Sequence, residues 1–202
     1  MNRLAETVLP TRWGVFRMFA YTNKPEEMPH LALVHGDPEQ LDPACVRVHS
    51  ECMTGDVFGS VRCDCGEQLD AAMKEIAQHG GVLLYLRQEG RGIGLVNKMH
   101  AYNLQDQGLD TAAANTELGF GVDEREFGIA IAMLEDLGIK RIRLMTNNPE
   151  KLAAFDGSPV TVVERVPLQI PPRQENRFYL QTKQQVMGHL LDVLPNHNGK
   201  HH

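Results

Sequence analysis

The sequence predicts a single α/β domain in which helices flank a mixed β-sheet and the N-terminal half is rich in strands. Before Gly66, short segments of alternating polarity are separated by turn residues, which is typical of strands. After Gly66, apolar residues from Leu69 to Ile76 recur at helical spacing. The continuous apolar run at residues 82–86 then resembles a strand buried on both faces of a parallel sheet. A mixed β-sheet can contain both the alternating strands before Gly66 and the parallel-type strand after it.

The elements follow from local signals in chain order. Residues 11–14 form a predicted turn between two strands, and glycines 80 and 81 end the helix that begins after Gly66. Pro149 after Asn148 predicts a helix start with Asn148 as its N-cap. The other predicted elements are strands at 31–34, 44–49, 141–145 and 159–166, and helices at about 95–107, 126–137 and 178–191.

The composition is that of an ordinary globular protein, with 202 residues, 42% hydrophobic and 23% charged. We predict one domain over residues 1–194 and a flexible polar tail over 195–202. A net charge of −6 argues against a protein that holds the nucleic-acid backbone. The longest apolar runs are too short to cross a membrane, and residues 1–6 carry no secretory signal, so we expect a cytoplasmic protein with no membrane partner.

Three cysteines are spaced as ligands of one metal ion. Cys52 lies just after a predicted strand, and Cys63 and Cys65 form a Cys-x-Cys pair whose backbone we expect to be non-helical, freed by Gly66. Thiolate ligands favour zinc, and three protein ligands leave a position for water, as in catalytic zinc sites. The alternative interpretation is three structural thiols, although the neighbouring residues are unusually polar for a core.

The fourth cysteine decides whether the predicted metal site is open. Cys45 lies within a predicted strand, where alternation places it on the same face as Arg47 and His49. We interpret it as a small buried hydrophobic residue, not a fourth ligand. Arg47, His49 and Glu51 occupy alternate positions on one face of a segment that leads directly to Cys52. A carboxylate such as that of Glu51, next to a metal-activated water, can transfer protons.

Three further segments have features of phosphate-binding loops. Residues 88–94 are rich in glycine between a strand and a helix, where backbone N–H groups favour anions, but they match neither the dinucleotide fingerprint nor a P-loop. Residues 122–126 are a dense charged cluster, which would equally fit a solvated helix start capped by Asp123. Thr146 and Lys151 follow a strand end, the usual place for ligands in α/β sheets.

These motifs occur in an order that resembles the GTP cyclohydrolase II family over residues 5–191, almost the whole chain. The resemblance lies in Arg-Val-His-Ser-Glu-Cys at 47–52, Arg-Cys-Asp-Cys-Gly at 62–66, Arg-Gln-Glu-Gly-Arg at 87–91, Asp-Glu-Arg at 123–125 and Thr-Asn-Asn-Pro at 146–149. It implies a monofunctional form of the enzyme that opens riboflavin biosynthesis, with a GTP cyclohydrolase II-like fold and a homodimeric assembly.

The resemblance also implies roles for individual residues. One zinc ion per subunit would be bound by Cys52, Cys63 and Cys65, Asp123 would be the proton acceptor, Arg125 the nucleophile toward the α-phosphate, and Tyr102 an aid to hydrolysis near the zinc. GTP would contact Arg47, Val48, His49, Ser50, Glu51, Gln68, Glu89, Gly90, Arg91, Thr111, Thr146 and Lys151.

The implied reaction removes diphosphate from GTP, with Mg²⁺ on the phosphates, and hydrolyses the guanine ring at C8 with release of formate. The product is 2,5-diamino-6-(5-phosphoribosylamino)pyrimidin-4(3H)-one. Because a guanidinium is effectively always protonated, we interpret Arg125 conservatively as a clamp on phosphate that stabilises charge in the transition state.

Three other functions compete with this one. A zinc nucleobase deaminase would explain His-Ser-Glu at 49–51, but Cys63-Asp-Cys65 differs from the P-C-x-x-C of that class. A non-catalytic zinc module with four cysteines would require Cys45 as a ligand. A paralogue that accepts GTP and forms a different product also fits the sequence.

Overall fold

The computed structural model describes residues 1–24, 26–121 and 123–192. The predicted tail at 195–202, the domain boundary at 194 and Val122 of the charged cluster lie outside these residues. Seven strands in the described part of the chain form one sheet. They are β1 (Asn2–Pro10), β2 (Val15–Thr22), β3 (His30–His35), β4 (Ala44–Ser50), β5 (Gly81–Leu86), β6 (Arg141–Met145) and β7 (Thr161–Val166).

The sheet is mixed, as the sequence predicts. Its strand order is β1-β2-β3-β5-β4-β6-β7. Strands β1, β2, β3 and β5 pair antiparallel, whereas β5, β4, β6 and β7 pair parallel. The first three strands therefore build an antiparallel flank, and the alternation of strands and helices from β4 onward builds the parallel half.

Helices join the parallel strands and cover the sheet. Helix α2 connects β4 to β5, and its Gly80 C-cap ends it where the glycine pair predicts. Asn148 caps the N-terminus of α6 by accepting a hydrogen bond from the Glu150 backbone N–H, also as predicted. The helices are α1 (Met53–Asp56), α2 (Cys65–His79), α3 (Gly94–Asp106), α4 (Thr111–Glu117), α5 (Gly128–Asp136), α6 (Pro149–Ala153) and α7 (Arg177–Gln185).

The core lies on both faces of β4. Val46 and Val48 belong to a hydrophobic cluster with α5, while Cys45 belongs to a second cluster with α2. Cys45 is 5% exposed and packs with apolar side chains, which confirms its interpretation as a small buried residue.

Two predicted helix boundaries were wrong, and one helix was missed. Helix α7 ends at Gln185 and not at residue 191, because the chain turns there and Gly188 takes a φ of 64°. Helix α5 begins at Gly128 instead of residue 126, so Asp123 is not its N-cap. Helix α4 was not predicted, although Asp110 caps it by accepting a hydrogen bond from Ala113 N–H.

The fold brings the carboxyl ends of three parallel strands to one edge. Strands β4, β5 and β6 end at Ser50, Leu86 and Met145, and each is followed by a predicted functional segment. Loops at this edge of an α/β sheet are the usual place for a ligand. In the described part of the chain, no helix combines the length and the apolar character needed to cross a membrane.

Candidate active site

A cavity at the carboxyl edge of the parallel strands brings together all but two of the residues that the sequence predicts for the site. The two exceptions are Val48 and Asp123. The predicted residues that line the cavity are Arg47, His49, Ser50, Glu51, Cys52, Cys63, Cys65, Gln68, Glu89, Gly90, Arg91, Tyr102, Thr111, Arg125, Thr146 and Lys151.

The two exceptions support residues that line the cavity. The Val48 side chain points into the hydrophobic core, and its backbone carbonyl accepts a 2.7 Å hydrogen bond from Lys151 Nζ. Asp123 contacts the Arg125 guanidinium. The side chains of Val48 and Asp123 therefore do not line the cavity in this structure, and their predicted roles toward GTP stay predictions.

Three cysteines form a cluster that fits one zinc ion. The Sγ atoms of Cys52, Cys63 and Cys65 all lie within 4.8 Å of one another, and those of Cys52 and Cys63 are 3.7 Å apart. Two sulfurs bound at about 2.3 Å to a tetrahedral zinc would be separated by about 3.8 Å. Hydrogen bonds from the other two thiols, with Lys98, hold the pKa of Cys52 well below its usual range, which favours the thiolate that a metal requires.

Gly66 acts differently from the sequence-based expectation. Cys65 is the first residue of α2 and Gly66 follows it inside the helix, so the glycine does not free the backbone. A Cβ at Gly66 would collide with the backbone carbonyl of Gly55 in α1. The glycine therefore allows α1 and α2 to approach closely enough to hold Cys52 next to Cys63 and Cys65.

A buried ion pair supports the cysteine cluster. Lys98 Nζ lies 2.7 Å from Glu89 Oε1 and donates to Cys52 Sγ at 3.1 Å. Glu89 in turn accepts hydrogen bonds from the backbone N–H groups of Met53 and Gly90. One carboxylate thus joins the start of α1 to the glycine-rich loop, with the ammonium of Lys98 balancing its charge.

Asp56 organises the end of β4. Its carboxylate lies 3.0 Å from His49 Nε2 and accepts hydrogen bonds from Cys52 N–H and the Tyr85 hydroxyl. The His49 ring also stacks on Tyr85 at a centroid distance of 5.5 Å. Burial lowers the pKa of His49, so its ring is neutral, with Nε2–H donating to Asp56 and Nδ1 left as an acceptor.

Two side chains next to the cysteines can take part in proton transfer. Glu51 is 9% exposed, pairs with Arg87 at 3.1 Å, and has a pKa raised by burial. Burial also raises the pKa of Tyr102, whose hydroxyl lies 3.1 Å from Thr54 Oγ1. The phenol therefore stays protonated and can donate a hydrogen bond into the cavity.

The opposite side of the cavity is strongly cationic. Arg47 donates to Gln68 Oε1 at 2.5 Å and to the Met145 carbonyl at 3.0 Å, and burial lowers its pKa to about 10. Burial, together with the charges of Arg47 and Arg125, lowers the pKa of Lys151 well below its usual range. Cations gathered in this way are costly to bury without a counter-charge, which favours an anionic ligand.

The glycine-rich loop presents Arg91 to this cationic side. Gly90 and Arg91 both adopt φ 62°, a left-handed conformation that is strained for arginine. The Arg91 carbonyl accepts a hydrogen bond from Glu124 N–H, which holds the loop in place. Both terminal nitrogens of Arg91 are buried without a hydrogen-bond partner in the described part of the chain, as expected for a group awaiting a ligand.

Asp123 and Arg125 form a buried ion pair beside the cavity. The Arg125 Nε donates to Asp123 Oδ1 at 2.7 Å, and Nη2 donates to Oδ2. Burial opposes the charge on each group, but the hydrogen bonds between them raise the pKa of Arg125 and lower that of Asp123. The pair thus keeps the guanidinium charged and aimed into the cavity.

The sequence of this chain matches the family model of GTP cyclohydrolase II over residues 2–167. The chain belongs to the GTP cyclohydrolase II family. The match covers every predicted site residue.

Other known proteins are similar to this chain. The riboflavin biosynthesis protein RibBA of Bacillus cytotoxicus is 56% identical over 194 residues, and that of Bacillus cereus strain AH187 is 55% identical. Each match covers 96% of this chain and 49% of the relative, so the chain spans about half the length of these relatives. A crystal structure of RibBX, a two-domain 3,4-dihydroxy-2-butanone 4-phosphate synthase from A. baumannii, aligns with a TM-score of 0.47 and 24% identity over 80% of this chain and 40% of its own.

Several residues of this GTP cyclohydrolase II family site were missed in the sequence. Lys98 lies four residues before Tyr102 on α3, and this spacing places both side chains on one helix face. The predicted role of Tyr102 could therefore have identified Lys98 as a second site residue. Asp56 contacts His49 only because α1 folds back on β4, which no local pattern shows. Tyr179 and Lys183 line the cavity from α7, beyond the end of the family match.

Proposed function

We propose that this chain hydrolyses GTP, opening the guanine ring at C8 with release of formate and diphosphate. The product would be 2,5-diamino-6-(5-phosphoribosylamino)pyrimidin-4(3H)-one, as the first step of riboflavin biosynthesis. One observation carries the proposal: the three-cysteine cluster and a set of cationic side chains line the same cavity at the carboxyl edge of the sheet. We call these cations, Arg47, Arg91, Arg125 and Lys151, the cationic wall. Family membership and the similarity to RibBA proteins support it.

The cysteine side of the cavity suits the chemistry at C8. A zinc ion held by Cys52, Cys63 and Cys65 would supply Lewis acidity that activates a water molecule for attack on an electrophilic carbon. Glu51, with its raised pKa, would accept and return a proton, and the Tyr102 phenol would donate a hydrogen bond to the opening ring. The neutral His49 offers Nδ1 as an acceptor for an N–H of the base.

The cationic side of the cavity suits the triphosphate. Arg91, Arg125 and Lys151 would neutralise phosphate charge, and Thr146 lies among them at the end of β6. Because Asp123 holds Arg125 in its charged form, Arg125 serves better as a clamp on the phosphates than as a nucleophile. Among the described residues, the three cysteines are the one group of His, Cys, Asp or Glu side chains placed to hold a metal, so we propose that Mg²⁺ arrives bound to GTP.

The decisive experiment uses purified, zinc-loaded protein with GTP and Mg²⁺. Formate, diphosphate and the diaminopyrimidine product are measured together, and we expect all three. Release of ammonia without formate would indicate a deaminase instead, and diphosphate with a different pyrimidine would indicate a paralogue. If zinc-loaded protein yields none of the three products, the proposal fails.

We also propose a cytoplasmic homodimer that has no nucleic-acid partner. Val57 and Phe58 follow α1 and are 68% and 74% exposed, an exposure that subunit contacts commonly relieve. The net charge of −6 disfavours nucleic-acid binding. Light scattering of the purified protein, with and without Phe58→Ser, should give a dimer mass for the wild type and a larger monomer fraction for the variant.

A further inference from the structure

The last part of the described chain closes one side of the cavity. This C-terminal segment, residues 177–192, consists of α7 and the turn that follows it. It lies entirely beyond the family match, which ends at residue 167. Nevertheless, four of its side chains line the cavity, namely Tyr179, Lys183, Met187 and His189.

The C-terminal segment is attached to the rest of the site by specific contacts. The Leu190 N–H donates to the carbonyl of Asn147 at 2.8 Å, directly after the β6 end that carries Thr146. Lys183 Nζ pairs with Asp64 Oδ1 at 3.0 Å, and both side chains are buried, 11% and 2% exposed. Asp64 lies between Cys63 and Cys65, so the C-terminal segment touches both the phosphate side and the cysteine side of the cavity.

His189 is the residue whose surroundings point to a ligand. Its Nε2 is buried and has no hydrogen-bond partner among the described residues. Burial lowers the pKa of His189, and the surrounding cations lower it further to about 3, namely Lys183, Arg125, Lys151 and Arg91. The terminal nitrogens of Arg91 are unpartnered as well. The guanidinium N–H groups of Arg91 and a ring nitrogen of His189, which can carry a proton, are buried without partners among positive charges, a combination that matches the oxygens of a polyanion.

We propose, resting on the proposed function, that the C-terminal segment is part of the nucleotide site, with His189 Nε2–H donating to a phosphate oxygen of GTP. Lys183 adds positive charge to the same wall. Phosphates bound there are contacted from both sides, by the loops of the parallel strands and by the C-terminal segment. The segment therefore contributes to the preference for a nucleoside triphosphate over a monophosphate.

The test measures binding of two guanine nucleotides that differ in phosphate number. Zinc-loaded full-length protein is titrated calorimetrically, with Mg²⁺ present, with GMP and with the α,β-methylene analogue of GTP, which cannot release diphosphate. We expect His189→Ala to weaken binding of the analogue about tenfold, as for loss of a hydrogen bond to a charged group, and binding of GMP less than threefold. Gln185→Ala, on the exposed side of the same segment, should change neither.

The outcomes separate this inference from the proposed function. If the wild type binds the analogue more tightly than GMP and His189→Ala preserves that ratio, the inference is wrong and the proposed function stands. If the wild type does not bind the analogue, both are wrong. His189→Gln, which keeps a donor, should lie within about threefold of the wild type.

A second measurement needs no variant. The exposed Arg177 begins the C-terminal segment and is a site for trypsin. We expect the GTP analogue to slow cleavage after Arg177 severalfold, since bound phosphates hold the segment in place, whereas GMP should protect less. Equal cleavage rates with and without the analogue would contradict the inference.

Discussion

The stability of a buried charge in this site depends on its one ion-pair partner. Lys98 pairs with Glu89, and their side chains are only 11% and 8% exposed. Removing one member of such a buried pair leaves the charge of the other uncompensated. We expect Lys98→Met to lower the free energy of unfolding by about 3 kcal/mol, measured by urea denaturation. Lys74→Met, which breaks an exposed pair with Asp70, should cost less than about 1 kcal/mol.

A double-variant cycle separates the Lys98 ion pair from the packing of its side chain. If Glu89→Gln is added to Lys98→Met, the second change should cost much less than it does alone, because the carboxylate no longer lacks a partner. If the losses in unfolding free energy of the two single variants simply add, the ion pair between Lys98 and Glu89 does not stabilise the fold.

Arg125 carries the second prediction at this scale. Its two-nitrogen contact with Asp123 holds a planar guanidinium in the cavity, and lysine cannot reproduce that geometry. Arg125→Lys should reduce kcat/KM for GTP by about 100-fold or more, as for loss of a group that stabilises transition-state charge. Arg143→Lys, in an exposed pair with Glu164, is the matched control.

Labelling of the wild-type protein, together with turnover by the same variant, tests the role of Arg125. If GTP labelled at the α-phosphate leaves no label on rapidly quenched wild-type protein, the clamp role stands, and a labelled protein would favour the nucleophile. Near-normal turnover by Arg125→Lys would exclude both roles.

At the scale of elements, the close approach of α1 and α2 shapes the cysteine cluster. Gly66→Ala places a methyl group against the Gly55 backbone, so the two helices must separate. We expect a loss of about 1–3 kcal/mol in unfolding free energy and at least tenfold weaker zinc binding, measured by competition with a chromophoric chelator. Gly128→Ala, at the start of α5 in open space, should leave zinc binding unchanged.

Helix α5 is attached to the antiparallel flank through Asp136. Its carboxylate accepts hydrogen bonds from Tyr21 at 2.8 Å and from Arg3 at 2.6 Å, in β2 and β1. Burial opposes this effect, but these hydrogen bonds lower the pKa of Asp136. A carboxyl group with a lowered folded-state pKa stabilises the protein above its unfolded pKa of about 3.9, and this contribution disappears as the pH falls through the folded value.

Asp136→Asn should therefore destabilise the protein at pH 7 and have a smaller effect near pH 3. Since the side chain is 36% exposed, we expect no more than about 1 kcal/mol, measured by urea denaturation at both pH values. Glu135→Gln removes the same charge from an exposed neighbour and should show little change at either pH. An equal loss for Asp136→Asn at both pH values would contradict a charge-dependent attachment.

For the whole molecule, what the sequence could predict depends on how local the signal is. The mixed sheet, the cap at Asn148 and the three-cysteine cluster follow from short patterns, and the structure confirms all three. The contacts of Asp56 with His49 and of Lys183 with Asp64 join residues from separate elements, so no single segment encodes them. The end of α7 was misplaced because the chain turns at Gly188, with φ 64°, and Leu190 N–H then donates to the Asn147 carbonyl, a contact with a distant segment.

Removing zinc tests whether the fold and the release of diphosphate are independent of the metal. The two large hydrophobic clusters lie on the sheet and contain none of the three predicted zinc ligands, so the chain should stay folded after chelation. We expect a native far-UV spectrum and a melting temperature lower by about 5–10 °C, since zinc at 100 times its Kd contributes about 2.7 kcal/mol. Formate release should stop while diphosphate release continues, because the cationic wall is separate from the cysteines. Added zinc should restore formate, and parallel loss of both products would mean that the two sites do not act independently.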